Sequence, residues 1–390
     1  MFTASDHVYM TRALQLAEQG LYTTSPNPRV GCVIVKNGKI VGEGAHLKSG
    51  EAHAEVSALR QAGEIAKGAT AYVTLEPCSH TGRTPPCAEA LLKAGISRVI
   101  AAMVDPNPIV AGNGLAYLQA HNVEVATGLM AAQALALNPG FNSRMSRNLP
   151  YVRCKIASSL DGKTALNNGR SQWITSEAAR LDVQKWRAQS CAILTGIGTI
   201  LNDDPAMTVR SLGHDTQYSG RQPLRVIVDS QLRISPQAKI LQGGNTLIAY
   251  AQIVQNPELT DKITQLLATG AQLLCIPDAN NKVCLKTLLS HLARLQINEV
   301  LVEGGESLNG ALLAQHLIDE LLIYYAPKLM GNAAKDLFAM QAFEQMNQAI
   351  ALEVLELRQI GCDIRLRAKP TYPVNSSMNL KNVGKIKPFF

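Results

Sequence analysis

Strand and helix signals alternate along this chain, and the alternation breaks once and then resumes. The break is the polar stretch 138–149, which opens with the turn-forming sequence Asn138-Pro139-Gly140. A chain of 390 residues is also too long for one ordinary hydrophobic core. Strands separated by helices predict a mostly parallel sheet. The sequence therefore predicts an α/β protein with two domains, residues 1–146 and 147–370.

The elements expected in each half follow from these signals. In the first half, Asn37-Gly38 joins two apolar runs and indicates a β-hairpin at the start of the sheet. That half is expected to hold strands at 30–35, 39–44, 69–75, 98–104 and 123–126, and helices at 1–19, 53–62, 86–94 and 115–120. The second is expected to hold strands at 151–157, 192–196, 225–228, 246–250, 272–276, 299–302, 321–325 and 362–367, and helices at 176–188, 258–268, 285–295 and 307–314. The polar segment 371–390 is typical of a disordered tail.

Charge and hydropathy argue against nucleic-acid and membrane partners. The net charge is +7, but residues 1–148 carry 12 basic and 10 acidic side chains and residues 149–370 carry 22 and 20. The remaining excess is three lysines in the tail, so neither domain is basic as a whole. No run of about 18 apolar residues predicts a membrane span, and the start lacks the features of a secretory signal. We therefore expect a cytoplasmic protein that acts on a small molecule, and a homo-oligomer whose size the sequence does not specify.

The strongest chemical signal is a set of zinc-type ligands in the first half. His53-Ala54-Glu55 begins one predicted helix, Cys78 follows a predicted strand, and Cys87 begins another helix. Zinc favours imidazole and thiolate ligands, and a catalytic site uses three of them with a carboxylate nearby to move protons. Zinc deaminases combine H-x-E with a later P-C-x-x-C. Here eight residues separate the two cysteines, so the spacing alone also fits an ordinary helix start with two unrelated thiols. His80 is a further candidate ligand.

The surrounding sequence resembles a known family. The stretch Val73-Thr74-Leu75-Glu76-Pro77-Cys78-Ser79-His80-Thr81-Gly82-Arg83-Thr84-Pro85-Pro86-Cys87 is similar to the bifunctional riboflavin-biosynthesis deaminase–reductases. Pro26-Asn27-Pro28-Arg29-Val30-Gly31 and Asp105-Pro106-Asn107-Pro108 are similar too. The resemblance implies a cytidine-deaminase-like domain holding one Zn²⁺ on His53, Cys78 and Cys87, with Glu55 as the proton carrier. It also implies that four residues help to hold the substrate pyrimidine and its phosphate: Asn27, His46, His80 and Arg83. A structural role for each of these four stays open.

The second half resembles the reductase partner of the same family, which has a dihydrofolate-reductase-like fold. The similar stretches are 155–163, 171–175, 196–205 and 302–308. Of these, Val302-Glu303-Gly304-Gly305 joins a strand to a helix, where backbone N–H groups can hold a pyrophosphate. The Gly196 and Gly198 pair lacks a third glycine, so a plain tight turn is an equal interpretation.

The resemblance also implies the ligand contacts of the reductase. The contacts to NADPH would be Ala157, Trp173, Thr199, Asp203, Ser230, Gly305, Glu306, Ser307, Leu308, Asn309, Gly310 and Ala311. The contacts to the substrate would be Ser171, Arg187, Met207, Arg210 and Glu303, with Lys155 close by. A plain ion pair is the alternative for Lys155 and Glu303.

The implied substrate is a diaminopyrimidinone that carries a ribosylamino 5′-phosphate. The first domain would remove one amino group by hydrolysis, and the second would then reduce the ribosyl group to a ribityl chain with NADPH. Two alternatives remain from the residues alone. One is a single-activity nucleoside or tRNA deaminase with an accessory domain, and the other is an inactive, zinc-stabilised scaffold that binds nucleotides. Glu55 argues against the scaffold because no structural need explains a carboxylate there.

Overall fold

The computed structural model describes residues 1–79, 86–108, 110–210, 212, 220–252 and 257–372, and within them it has a five-stranded and a nine-stranded sheet. A small third sheet of two strands lies beside the larger one. None of the described helices is long and apolar enough to cross a membrane. Each large sheet begins its own run of alternating strands and helices, as the restart of the sequence pattern predicts.

The first sheet combines a hairpin with a parallel βαβ arrangement. Its strands are β1 (Gly31–Lys36), β2 (Lys39–Ala45), β3 (Thr70–Val73), β4 (Arg98–Ala101) and β5 (Glu124–Thr127). The helices of this half are α1 (Ala4–Glu18), α2 (Ala54–Ala62), α3 (Cys87–Lys93), α4 (Asn113–Ala120), α5 (Ala131–Leu137) and α6 (Pro139–Arg147). The strand order is β2-β1-β3-β4-β5, in which β1 is antiparallel to both neighbours and β3, β4 and β5 are parallel.

Glycines on β2 place the start of α2. A Cβ atom on Gly42 would lie 2.2 Å from the carbonyl oxygen of Ala58, and one on Gly44 would lie 2.1 Å from that of Ala54. The helix therefore packs directly on the strand backbone, which only glycine permits. The hairpin itself turns at Asn37-Gly38, where both residues have positive φ, at 50° and 73°. Together these contacts hold the first turn of α2, where the zinc-type sequence begins.

The second large sheet is parallel through seven strands and ends in an antiparallel hairpin. Strands of this half are β6 (Tyr151–Ser159), β7 (Lys163–Ala165), β8 (Ala192–Gly196), β9 (Leu224–Val228), β10 (Thr246–Tyr250), β11 (Gln272–Cys275), β12 (Glu299–Val302), β13 (Glu320–Ala326), β14 (Lys335–Asp336), β15 (Ala351–Ile360) and β16 (Asp363–Thr371). Its helices are α7 (Glu177–Gln189), α8 (Ile197–Asp203), α9 (Pro257–Ala268), α10 (Leu285–Arg294) and α11 (Glu306–Ala314). The order is β11-β10-β9-β8-β12-β6-β13-β16-β15, with β7 and β14 paired separately. The carboxyl ends of β9, β8, β12 and β6 are therefore neighbours, and ligands bind at such edges.

Several regions differ from the sequence-based expectations, among them helices α5 and α8 and strands β7 and β14, which were not expected. The stretch expected to be a linker forms α6, because Pro139 is tolerated in the first turn of a helix. Gly140 lets that helix approach the second domain, since a Cβ there would lie 2.4 Å from Cγ of Glu299. Strand β15 was not expected at all. Thr371 completes β16 and the hydroxyl of Tyr372 donates to the carbonyl of Ile318 at 2.9 Å, whereas the rest of the expected tail lies outside the described residues.

A buried chain of ion pairs joins the two halves. The guanidinium of Arg29 lies 2.8 Å from the carboxylate of Glu299, with side chains 7% and 3% exposed. Glu299 also pairs with Arg153 at 3.3 Å, and Arg153 pairs with Glu320 at 3.2 Å. Burial raises the pKa of Glu299, but Arg29 and Arg153 outweigh that effect and lower it. Arg29 of the first half and Glu299, Arg153 and Glu320 of the second half therefore form one continuous series of alternating positive and negative side chains.

Candidate active sites

The three zinc-type side chains meet at one point. His53 caps α2, Cys87 is the first residue of α3, and Cys78 lies in the segment that follows β3. Nδ1 of His53 lies 3.2 Å from Sγ of Cys87 and 3.7 Å from Sγ of Cys78, and all three atoms are within 4.8 Å of one another. A tetrahedral zinc with bonds of about 2.0–2.3 Å needs ligand atoms on the order of 3.5 Å apart. The donor set and its spacing fit zinc.

The two thiols have opposite tendencies to ionise in the metal-free chain. A hydrogen bond from the Cys87 thiol, with help from His53, lowers the pKa of Cys78 to about 4. The same bond, together with burial, raises the pKa of Cys87. The backbone N–H of Cys87 also donates to Sγ of Cys78 at 3.3 Å, so the start of α3 stabilises that thiolate. Of the two thiols, Cys78 therefore ionises more readily.

Glu55 lies beside this cluster in the first turn of α2. It is buried, and burial is the main reason why the pKa of its carboxyl rises to about 7. A group with a pKa near 7 can both accept and release a proton at neutral pH. Its carboxyl is also within hydrogen-bonding reach of the Cys87 thiol. The position and the ionisation of Glu55 both suit a proton carrier.

Two of the four proposed pyrimidine contacts lie next to the cluster. The amide nitrogen of Asn27 lies 3.1 Å from Nε2 of His46, whose Nδ1 lies 3.1 Å from the carbonyl oxygen of Ala52. The His46 ring packs edge-on against His53 with 5.3 Å between centroids. Because His46 is buried, it orients Asn27 and His53, whereas Asn27 is the more accessible of the pair. His80 and Arg83 fall outside the described residues.

A second group of predicted residues converges at the carboxyl edge of the larger sheet. Arg187 on α7 makes two bonds to Glu303, Nε to Oε1 at 2.6 Å and Nη2 to Oε2 at 3.0 Å. Lys155 on β6 lies 3.9 Å from the same carboxylate. Arg187 also donates to the carbonyl of Thr208 and approaches the Met207 sulfur at 3.7 Å. Three charged side chains from different elements thus form one half-buried cluster.

The charges of this cluster perturb one another. Burial raises the pKa of Glu303, but Arg187 and Lys155 outweigh it and bring the value to about 2. Burial also lowers the pKa of Lys155, which Glu303 partly offsets. Arg210 contributes a weaker attraction to Glu303 and is itself exposed. Glu303 is therefore held as a carboxylate, with an exposed arginine nearby.

The other predicted reductase residues divide into accessible and packed ones. Ser171 donates to Asp203 at 3.3 Å, and the Trp173 ring is 61% exposed with the Arg180 guanidinium 4.6 Å from its centroid. Ala157, Thr199 and Ser230 are half-buried, and the Ser230 hydroxyl accepts from the N–H of Val283. Ala157 lies in β6, Thr199 and Asp203 lie in α8 directly after β8, and Ser230 follows β9. Ser171 and Trp173 lie in the connection between β7 and α7. They line the edge on which a cofactor is expected.

The predicted cofactor stretch 305–311 spans the cap and first turns of α11. Gly305 caps the helix, and its neighbours Glu306 and Ser307 remain partly accessible. Leu308 and Asn309 instead face the core, where Asn309 donates to the carbonyls of Gly304 and Leu337. A Cβ on Gly310 would lie 2.1 Å from the carbonyl oxygen of Ala339. The side chains of Leu308 and Asn309 are packed and Gly310 has none, so any cofactor contact at these three residues is through the backbone.

Two buried residues with a clear role at these sites escaped the sequence analysis. The hydroxyl of Thr195, at the end of β8, donates to the carbonyl of Glu303 at 2.8 Å. It ties two neighbouring strand ends together beneath the charged cluster. The other is Glu76, whose carboxylate accepts several backbone N–H bonds next to Cys78. Its position two residues before a candidate ligand was the available signal.

Comparisons with known proteins decide the family. Residues 150–366 match the RibD C-terminal domain, and residues 3–103 match the cytidine and deoxycytidylate deaminase zinc-binding region. The riboflavin biosynthesis protein RibD of Escherichia coli K12 is 50% identical over 93% of this chain and 98% of its own length. The chain belongs to the RibD family. RibD of Haemophilus influenzae is 47% identical over 95% of this chain and 98% of its own length.

Solved structures agree with this membership. Acinetobacter baumannii RibD matches with a TM-score of 0.85 and 47% identity, covering 94% of this chain and 99% of that one. A Thermotoga maritima protein described as a diaminohydroxyphosphoribosylaminopyrimidine deaminase and 5-amino-6-(5-phosphoribosylamino)uracil reductase matches at 0.80 and 30%, covering 94% and 99%. This chain is thus a bifunctional deaminase and reductase of riboflavin biosynthesis, with a zinc-binding deaminase domain and a reductase domain that uses NADPH. A single-activity deaminase with an accessory domain is excluded.

Proposed function

We propose that the first site hydrolyses one amino group from a diaminopyrimidinone that carries a ribosylamino 5′-phosphate, and that the second site reduces the ribosyl group of the product. The observation that carries the proposal is the meeting of His53, Cys78 and Cys87 beside the buried Glu55. The relative from Thermotoga maritima, whose two named activities act on such compounds, supports the choice of substrate. The domain division proposed is 1–146 for the deaminase and 147–370 for the reductase.

In the deaminase site, His53, Cys78 and Cys87 would hold the zinc. When bound, the ion would supply Lewis acidity, which makes hydrolysis possible near neutral pH. Glu55 would accept a proton from the attacking water and pass protons to the ring and to the departing ammonia. Asn27, oriented by His46, donates to or accepts from the pyrimidine. We keep His80 and Arg83 as proposed contacts to the ring and the phosphate.

In the reductase site, NADPH supplies the hydride and the chain supplies orientation. The backbone at Gly304 and Gly305, with the start of α11, suits the cofactor pyrophosphate because its N–H groups are available there. Glu303 and Lys155 lie together and suit the ribose hydroxyls. Arg210 is exposed near Glu303 and suits the substrate phosphate, since a guanidinium binds phosphate through two parallel bonds. Ser171, Arg187 and Met207 complete the proposed substrate contacts.

The metal assignment predicts that a serine at either cysteine position empties the site. We expect about one zinc per chain in the native protein, because three protein ligands fill three tetrahedral positions. Cys78→Ser and Cys87→Ser should each lose most of that zinc, as measured by elemental analysis after dialysis. Cys32→Ser is the control, since Cys32 is a buried cysteine of the same domain outside the ligand set. Full zinc in Cys87→Ser protein would rule out the ligand assignment.

We also propose that the chain forms a homo-oligomer by pairing β15 with β15 of a second copy. Strand β15 is the last strand of the sheet and pairs only with β16 among the described residues. Its ten residues include Val354 and Leu357, which are 61% and 68% exposed. A long, apolar edge strand has backbone N–H and C=O groups that can pair with another strand. Antiparallel pairing with β15 of a second copy would provide partners for these groups in both copies. Leu357→Lys should lower the mass measured by sedimentation, and an unchanged mass would argue against this edge.

A further inference from the structure

We propose that Glu76 is a positioning residue for the metal ligands, because its carboxylate ties the segment carrying Cys78 to the loop that follows the neighbouring parallel strand β4. This inference rests on the metal site proposed above. We call the described residues 105–108 and 110–115 the donor loop. It contains the Asp105-Pro106-Asn107-Pro108 sequence, to which the proposed function assigns no role.

Among the described residues, every hydrogen bond to the carboxylate of Glu76 comes from a backbone N–H group. Oε2 accepts from the N–H of Asp105 at 3.0 Å and of Gly112 at 2.9 Å. Oε1 accepts from the N–H of Gly114 at 2.9 Å and of Leu115 at 3.4 Å. Glu76 is 3% exposed, and no lysine or arginine in the described part of the chain forms an ion pair with it. Four N–H groups, two of them in the first turn of α4, therefore take the place of a counter-ion.

The donor loop also packs against Pro77, the residue that follows Glu76. A Cβ on Gly114 would lie 1.9 Å from the carbonyl oxygen of Pro77, so the start of α4 rests against the Pro77 backbone. On the other side, the N–H of Ala88 donates to the carbonyl of Cys78 at 3.2 Å. The short segment from Glu76 to Cys78 is thus held between α4 and α3. Its position decides where the Cys78 sulfur lies relative to His53 and Cys87.

Glu76→Gln tests this role with little change in size. The amide oxygen can still accept from one pair of N–H groups, but the amide NH₂ faces the other pair, which loses its acceptor. We expect zinc affinity, measured by competition with a chromogenic chelator, to fall by about 10–100-fold, the usual effect of losing an outer partner of a metal ligand. The visible spectrum of the cobalt-substituted protein should shift, because it reports ligand geometry.

Asp6→Asn is the matched control. Asp6 is also 3% exposed in the same domain, and it accepts hydrogen bonds from Thr3 and from the Tyr72 hydroxyl at 2.6 Å. Its loss should lower the melting temperature of the domain without changing the zinc affinity or the cobalt spectrum. The inference is overturned if Glu76→Gln binds zinc like the native chain, or if Asp6→Asn weakens zinc equally. If the zinc content of the protein did not depend on Cys78, the proposed metal site itself would be wrong.

Discussion

The Glu55→Gln variant is expected to lose ammonia release while it keeps its zinc and its reductase activity. The substitution preserves the size of the side chain and leaves His53, Cys78 and Cys87 unchanged. It removes the group that we propose carries protons between water, ring and leaving amine. General acid–base assistance contributes about 10²–10⁴-fold, and one carboxylate serves several steps here, so the loss should reach the upper end of that range.

Three measurements on one preparation test this expectation. Elemental analysis should find zinc as in the native chain, and ammonia release from the diaminopyrimidinone substrate should be nearly absent. NADPH consumption should stay normal with 5-amino-6-(5-phosphoribosylamino)uracil, the compound that the Thermotoga relative is named for reducing. With the earlier substrate, the variant should stall before reduction.

The control for this experiment is Glu51→Gln. Glu51 lies just before α2, its side chain is 57% exposed, and the one ion pair it forms among the described residues is with Lys48 at 4.0 Å. It should retain both activities. Near-normal ammonia release by Glu55→Gln would remove Glu55 from the mechanism. Loss of both activities in a folded, zinc-loaded Glu55→Gln protein would show that the deaminase site controls the reductase site.

The second large effect is expected for Glu299→Gln, which should destabilise the whole chain. Glu299 stands between the guanidinium groups of Arg29 and Arg153, and all three side chains are buried. Neutralising the carboxylate leaves two arginines close together without their shared anion. Breaking a buried pair in this way costs about 3–5 kcal/mol, because the remaining charge stays out of water. We expect the urea midpoint of unfolding to fall by a corresponding amount.

Glu43→Gln is the matched control for this effect. Glu43 makes a bond of similar length, 2.7 Å, to Arg12, but both side chains are partly exposed. Water therefore replaces the lost partner, and the urea midpoint should change little. The interpretation of Glu299 as a joint between the domains would be wrong if both variants shifted the midpoint equally. A double variant, Arg29→Met with Glu299→Gln, should recover part of the loss because one unpaired arginine is removed.

The sequence predicted the deaminase site better than the contacts between the domains. The zinc-type side chains and Glu55 lie in short segments whose signals are local, and the resemblance to the family, rather than the cysteine spacing alone, predicted that they meet. The pairing of Arg29 with Glu299 joins residues 270 positions apart, and nothing near either one marks its partner. Strand β15 was missed for a related reason. The exposed apolar residues of β15 do not pack into a hydrophobic core, and nearly all of its positions are exposed. The strand therefore lacks the alternation of buried and exposed positions on which strand prediction depends.

The stretch between the sheets also shows why composition misled the prediction. Asn138-Pro139-Gly140 has the residues of a turn, yet Asn138 exchanges two hydrogen bonds with the backbone of Arg29 and the helix follows at once. The glycine is there for close contact with Asn298 and Glu299 rather than for flexibility. Tertiary contact overrides local turn preference at this point, and a single sequence carries no signal for it.

The joint formed by α6, Arg29 and Glu299 has a consequence for how the intermediate travels. A flexible tether would let one domain swing and deliver its product to the other, as carrier domains do. Here the two domains are linked by α6, which packs so closely at Gly140 that a Cβ atom there would clash with Glu299. The buried ion pair between Arg29 and Glu299 also joins the two domains. The contact at Gly140 and the Arg29–Glu299 pair therefore argue against delivery of the deaminated compound by a swinging domain.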